Sequence, residues 1–146
     1  MAVDVVTGIT ISRPVDVVAA YAADPSNAPT WYPNIKSVQW LTPPPAATGT
    51  RLAFVAKFLG RRLCYTYEIV EREPGLRLVM RTSEGPFPME TTYTWASAGE
   101  GRTYMSLRNR GEPAGVSRLA APFVAMAVRR ANRKDLEKLR GILEAG

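Results

Sequence analysis

Between Ile35 and Arg110 this chain of 146 residues alternates apolar and polar side chains in six successive runs, with turn-forming residues between them. The runs are "IKSVQWL", "TRLAFVAKF", "RLCYTYEIVERE", "LRLVMRTS", "METTYTWAS" and "RTYMSLRNR". The breaks between them are "PPPAATG", "LGR", "PG", "EGPFP" and "AGEG". A period of two marks a half-buried strand. Parallel neighbours need a crossover of a dozen residues or more, so connections this short leave only hairpins. The pattern therefore dictates an antiparallel meander with one packed face and one wet face.

The flanking segments change period. "VDVVTGITIS" at residues 3 to 12 is rich in β-branched types and reads as a first strand. In "SRPVDVVAAYAADPS", Ser12 can cap, Pro14 suits an early helical position, and Val15, Val18, Ala19 and Ala22 form a stripe that Asp24-Pro25 stops. "PSNAPTWYPN" predicts one short helical turn ending before Pro33. A long helix closes the chain after "GEPAG". The expected fold class is α+β in the order β-α-α-β6-α, as a single domain over residues 1–146. A chain of this length buries roughly 70% of its unfolded surface, so it has a real core.

Strand phase assigns the faces. The inner set includes Leu52, Phe54, Ala56 and Phe58; Leu63, Tyr65, Tyr67 and Ile69; Leu76, Leu78 and Met80; Met89, Thr91, Tyr93 and Trp95; and Thr103, Met105, Leu107 and Asn109. Arginine, lysine and glutamate dominate the opposite phase. Several inner residues carry hydroxyl or amide groups, each costing about 1–3 kcal/mol if buried without a partner. Such groups are at home on the wall of a cavity, where water or a ligand meets them.

The last helix has two unlike halves. Leu136, Leu139, Ile142 and Leu143 are large enough to fill space against a sheet, whereas Ala120, Ala121, Ala125, Ala127 and Ala131 leave a thin surface, with Pro122 in the first turn or at a kink. The expected consequence is a cavity roofed by residues 117 to 131. The expected wall is Phe54, Tyr65, Tyr67, Met80, Met89, Tyr93, Met105 and Asn109, with Phe123, Met126 and Ala127 from the helix; Trp31 and Tyr32 stand where a portal would be. Methionine adapts to irregular ligands and aromatic faces stack on planar ones. No carboxylate pair is expected inside, because Glu68 and Glu90 fall on the outer phase and Glu71 lies at a strand end.

Composition removes whole classes of chemistry. The chain has no histidine and one cysteine, Cys64, which leaves no internal disulfide, no cysteine metal cluster and no Ser-His or Cys-His machinery. No metal or cofactor is expected. "MAVDVVTGIT" lacks the basic start of a signal peptide, and "LAAPFVAMAV" is about half of the ~20 residues a membrane span requires, so a soluble cytoplasmic protein is expected. The net charge is +6, and seven basic residues lie from Arg118 onward against Asp135, Glu137 and Glu144. A nucleic-acid partner would call for aromatic platforms among these bases, which are missing, so that partner is not expected. The same basic helix leaves open a peripheral contact with an anionic membrane.

The order of elements, with "ISRPVDVVAAYAADPSNAPTWYPNIKSVQWL", "GTRLAF", "YEIVEREPGLRL", "TYTWASAGEGRTYMSL", "RGEPAG" and "NRKDLEKLRGILE", resembles the SRPBCC superfamily, the START-like helix-grip fold that includes polyketide cyclase/dehydrase-like proteins. The resemblance implies a seven-stranded antiparallel sheet gripping a long C-terminal helix around a hydrophobic cavity. It implies binding of lipids, sterols, polyketides or plant hormones, or cyclisation of polyketide chains. Aromatase members tend to place arginine, serine, tyrosine or histidine inside; this chain has no histidine and, on the inner phase, only Arg61 near a mouth. The expected function is a carrier or sensor for a small hydrophobic or aromatic ligand. The alternatives are a cyclase-type enzyme using Tyr65, Tyr67, Tyr93 and Asn109, and an interaction module using the basic C-terminal face.

Overall fold

The computed structural model describes residues 3–112 and 119–146. Seven strands form one antiparallel sheet: β1 (Val3–Ile11), β2 (Ile35–Trp40), β3 (Arg51–Phe58), β4 (Arg61–Glu73), β5 (Arg77–Glu84), β6 (Met89–Ser97) and β7 (Thr103–Gly111). Helices α1 (Val15–Ala22) and α2 (Ala28–Trp31) lie between β1 and β2, and α3 (Ala121–Ala145) follows β7. The sheet order is β1-β7-β6-β5-β4-β3-β2, so the first strand joins the meander beside the last one. The fold is the expected helix-grip arrangement.

Local chemistry explains the joints. Pro14 precedes α1 with extended backbone, and Val18, Ala19 and Ala22 are the buried stripe. Asp24 ends that helix and accepts a hydrogen bond from the Ser26 N–H at 2.9 Å, which starts a single 3₁₀ turn leading into α2. Pro122 lies in the first turn of α3, where its missing N–H costs nothing, so it opens the helix without kinking it. Two irregularities interrupt the pairing of β4 with β5, at Thr66/Tyr67 and at Ile69/Glu71. Each bends the strand and curls the sheet towards α3.

The closed part of the core lies between the sheet, α1, α2 and the C-terminal half of α3. Ile11, Val18, Trp31, Leu52, Ile69, Met105, Leu107, Leu136 and Leu139 are buried there. Arg13 locks the end of α3 to the sheet by donating to the Leu143 and Gly146 carbonyls at 2.6 and 3.1 Å. On the outer face, Asp4, Arg110, Glu90 and Arg81 stand in register across β1, β7, β6 and β5, a row of alternating charge. Arg108 grips Asp4 with two bonds of 2.8 and 2.6 Å and, with Arg110, holds that carboxyl below its usual range. Among the described residues no helix is long and apolar enough to cross a membrane.

Candidate ligand-binding site

The curled sheet and the N-terminal half of α3 enclose a cavity of about 280 Å³. Its floor comes from the inward phase of β3, β4 and β6, with Met80 of β5 and Asn109 of β7. Its roof is Val124, Val128, Ala131, Asn132 and Asp135, and Ala28 of α2 with Tyr32 just after it closes one side. Leu59 and Phe87, from the β3–β4 and β5–β6 turns, and Arg61 at the start of β4 line it as well. A second recess of about 640 Å³ between α1, the 42–50 loop and the β4–β5 turn is edged by Asp16, Arg72, Glu73, Pro44 and Pro45, which are exposed.

Of the residues expected from sequence, Phe54, Tyr65, Tyr67, Met80, Met89, Tyr93, Asn109 and Tyr32 all line the cavity. Five others do not. Met105 is fully buried in the closed core, paired with Ile9 and Trp95. Trp31 is also fully buried, its ring 4.1 Å from that of Tyr32 and 5.7 Å from that of Tyr93, so it props the cavity wall from behind. Phe123 and Met126 point outward, 72% and 60% exposed, and Ala127 is half-buried outside the wall. The roof positions follow helical spacing from Val124; Phe123 and Met126 fall off that face, and Ala127, three residues after Val124, stands at its edge and does not line the cavity. Residues 117 and 118 of the expected roof, and most of "GEPAG", lie outside the described residues.

The aromatic floor is continuous. Phe54 stacks on Tyr65 with ring centres 5.5 Å apart, and Tyr65 meets Tyr67 edge-on at 5.0 Å. The Tyr32 and Tyr93 hydroxyls share a hydrogen bond of 2.8 Å. Burial pushes the Tyr32, Tyr65 and Tyr93 phenols well above their usual range, and pushes Tyr67 up to about 12. These hydroxyls therefore act as neutral donors and acceptors at ordinary pH.

Strand phase gave no carboxylate pair inside and did not point to Asp135, the single carboxylate among the described residues of the roof. Asp135 is 3% exposed, lines the cavity and makes no hydrogen bond or ion pair among the described residues. Desolvation raises its carboxyl from 3.8 to about 7, against a weaker opposing pull from Lys138. Glu71, by contrast, pairs at the surface with Arg77 at 3.3 Å, beyond the second β4 irregularity. Asn109 does not face a ligand unaided: its Oδ1 accepts from the Thr91 hydroxyl at 2.7 Å and its Nδ2 donates to Asn132 Oδ1 at 3.0 Å. Asn132, which interrupts the helix stripe, is thus part of the same polar array. Among the described residues no group of three or more His, Cys, Asp or Glu is placed to hold a metal.

The family of polyketide cyclase/dehydrase and lipid transport proteins matches residues 2–144. The chain belongs to this family, within the SRPBCC superfamily. Solved structures share the family fold. A protein from Thermus thermophilus superposes with a TM-score of 0.83 at 21% identity over 97% of both chains. A START superfamily protein from Mycobacterium smegmatis gives 0.81 at 14% identity over 97% of both. The Zhui aromatase/cyclase from a Streptomyces species gives 0.80 at 19% identity, over 97% of this chain and 93% of that one. No curated protein matches the sequence. At such identities the family likeness carries the fold and leaves chemistry to the cavity's own residues.

Proposed function

We propose that this SRPBCC protein is a carrier or sensor that holds a small hydrophobic or aromatic ligand between its sheet and α3. The observation that carries the reading is the cavity itself: about 280 Å³, walled by aromatic and methionine side chains and roofed by the small residues Val124, Val128 and Ala131. That volume is just below the ~300–1,000 Å³ common for small-molecule sites. The test is native mass spectrometry of the purified protein, with titration of anilinonaphthalene sulfonate as a fluorescent probe. Retained mass or saturable probe binding is expected in the wild type and in Ala127→Trp, and loss of both in Ala131→Trp. Equal binding by the two tryptophan variants would remove the cavity as the binding site.

Asp135 favours a second reading, cyclase-type catalysis. A cavity carboxyl that titrates near neutrality suits proton transfer to and from an enolisable carbon better than any phenol of Tyr65, Tyr67 or Tyr93. If that reading holds, a linear poly-β-keto thioester is cyclised faster than in buffer and Asp135→Asn removes the acceleration. An unchanged product rate in the variant would reject it.

A further inference from the structure

The polar groups of the cavity are not scattered; they form a directed chain that stops one bond short. Thr91 has a single hydroxyl proton, and it is given to Asn109 Oδ1 at 2.7 Å. The 2.8 Å contact between the Tyr67 and Thr91 hydroxyls must therefore run from Tyr67 as donor to Thr91 as acceptor. Asn109 Nδ2 then donates to Asn132 Oδ1 at 3.0 Å. Every link points the same way, from β4 through β6 and β7 to α3, and each polarises the next. The chain ends at Asn132 Nδ2, which is buried with no partner although the residue is only 4% exposed and lines the cavity. One helical turn further on the same face is Asp135, 3% exposed, on the cavity and equally without a hydrogen bond among the described residues. Residues three apart on a helix have Cβ atoms about 5–6 Å apart, so a strong donor and an acceptor stand side by side in an otherwise apolar roof.

We propose that Asn132 and Asp135 form a polar clamp, selecting apolar ligands that end in an adjacent acceptor and donor of the carboxamide or lactam type. The ligand carbonyl accepts from Asn132 Nδ2 and its N–H donates to an Asp135 carboxyl oxygen, while the hydrocarbon body lies on Phe54, Tyr65 and Met80. Leaving either group unmatched keeps an orphaned polar atom in the roof, which is a stronger source of selectivity than apolar fit. The proposal rests on the ligand-binding reading above, and its test separates the two.

Equilibrium dialysis of the full chain against β-ethylnaphthalene, β-acetylnaphthalene and β-naphthamide compares the same body with no polar end, an acceptor alone, and an acceptor with a donor. In the wild type the amide is expected to bind about tenfold tighter than the ethyl compound, with the ketone between them. In Asn132→Leu the order reverses, the ethyl compound now binding best; in Asp135→Leu the amide falls to the level of the ketone. Each comparison is a ratio within one protein, so a change in overall stability cancels. If the wild type takes up ethylnaphthalene but prefers it to the amide, or if both variants keep the amide preference, the clamp is wrong and the carrier reading survives. Failure of all three compounds to bind the wild type overturns both.

Discussion

Asp135 sits in the cavity because of its spacing. Val128, Asn132, Asp135, Leu139 and Leu143 follow one another at steps of four, three, four and four, the rhythm of a single helix face. That much was legible in the sequence. A carboxylate on a basic helix is easily counted with the solvated charges, since aspartate is almost never fully buried. Phe123 and Met126 erred in the opposite sense: size suggested an inward side chain where phase put it outward. Burial of Asp135 has a cost that depends on pH. Tyr32, just after α2, and Tyr93 of β6 face it, and Lys138 lies on its own helix, so among the described residues no cation from an opposing element stabilises the ionised form. Between its ordinary 3.8 and about 7 the folded chain keeps a proton that the unfolded chain has lost, so stability falls as pH rises through that window and is fully present only below it. The displacement corresponds to about 4 kcal/mol. Asp135→Asn should therefore be more stable than the wild type in urea at pH 8 by several kcal/mol and nearly equal to it at pH 4.

At the scale of elements, every strand boundary predicted from alternation lies within one residue of the observed one. Alternation could not show the irregularities of β4, because an inserted residue leaves no mark on composition. They are why Thr66 and Tyr67 are buried in succession, and why Glu71 leaves the inner phase for Arg77. Leu76 was expected on the inner face and stands 59% exposed, since it belongs to the turn before β5. The β3–β4 turn has a comparable oddity. Leu59 and Gly60 both have positive φ, 51° and 76°, as a two-residue hairpin loop requires, and leucine is a poor choice there. Leu59→Asn should raise the urea midpoint by an amount equivalent to about 1 kcal/mol. In α3 the two halves should respond differently to truncation. Leu139→Ala, at a fully buried position, is expected to cost about 2–5 kcal/mol in equilibrium unfolding, while Phe123→Ala on the outer surface should stay within about 0.5 kcal/mol.

For the whole molecule, alternation and the period changes at either end were enough to reach an antiparallel sheet with helices on one face, while the helix-grip arrangement came from the resemblance to the SRPBCC superfamily. The site was harder to read, because a cavity is defined by what fails to fill it. The sheet's strand order has its own kinetic signature. Pairing β1 with β7 brings Val3 beside Gly111, and contacts so remote in sequence slow folding. Stopped-flow refolding should accordingly lie in the range of about milliseconds to seconds; a microsecond phase carrying the full amplitude would contradict this. The same pairing bears on the protein's life in the cell. A ribosome adding roughly 5–20 residues per second needs on the order of 5–20 s to make the hundred-odd residues that separate the two strands. For all that time β1 is a β-branched segment outside the tunnel with no strand to join, and α1 has no finished sheet to cover. The newborn chain is thus a client for whatever shields apolar segments during translation, and the cavity comes into being only when its roof, the last helix, arrives.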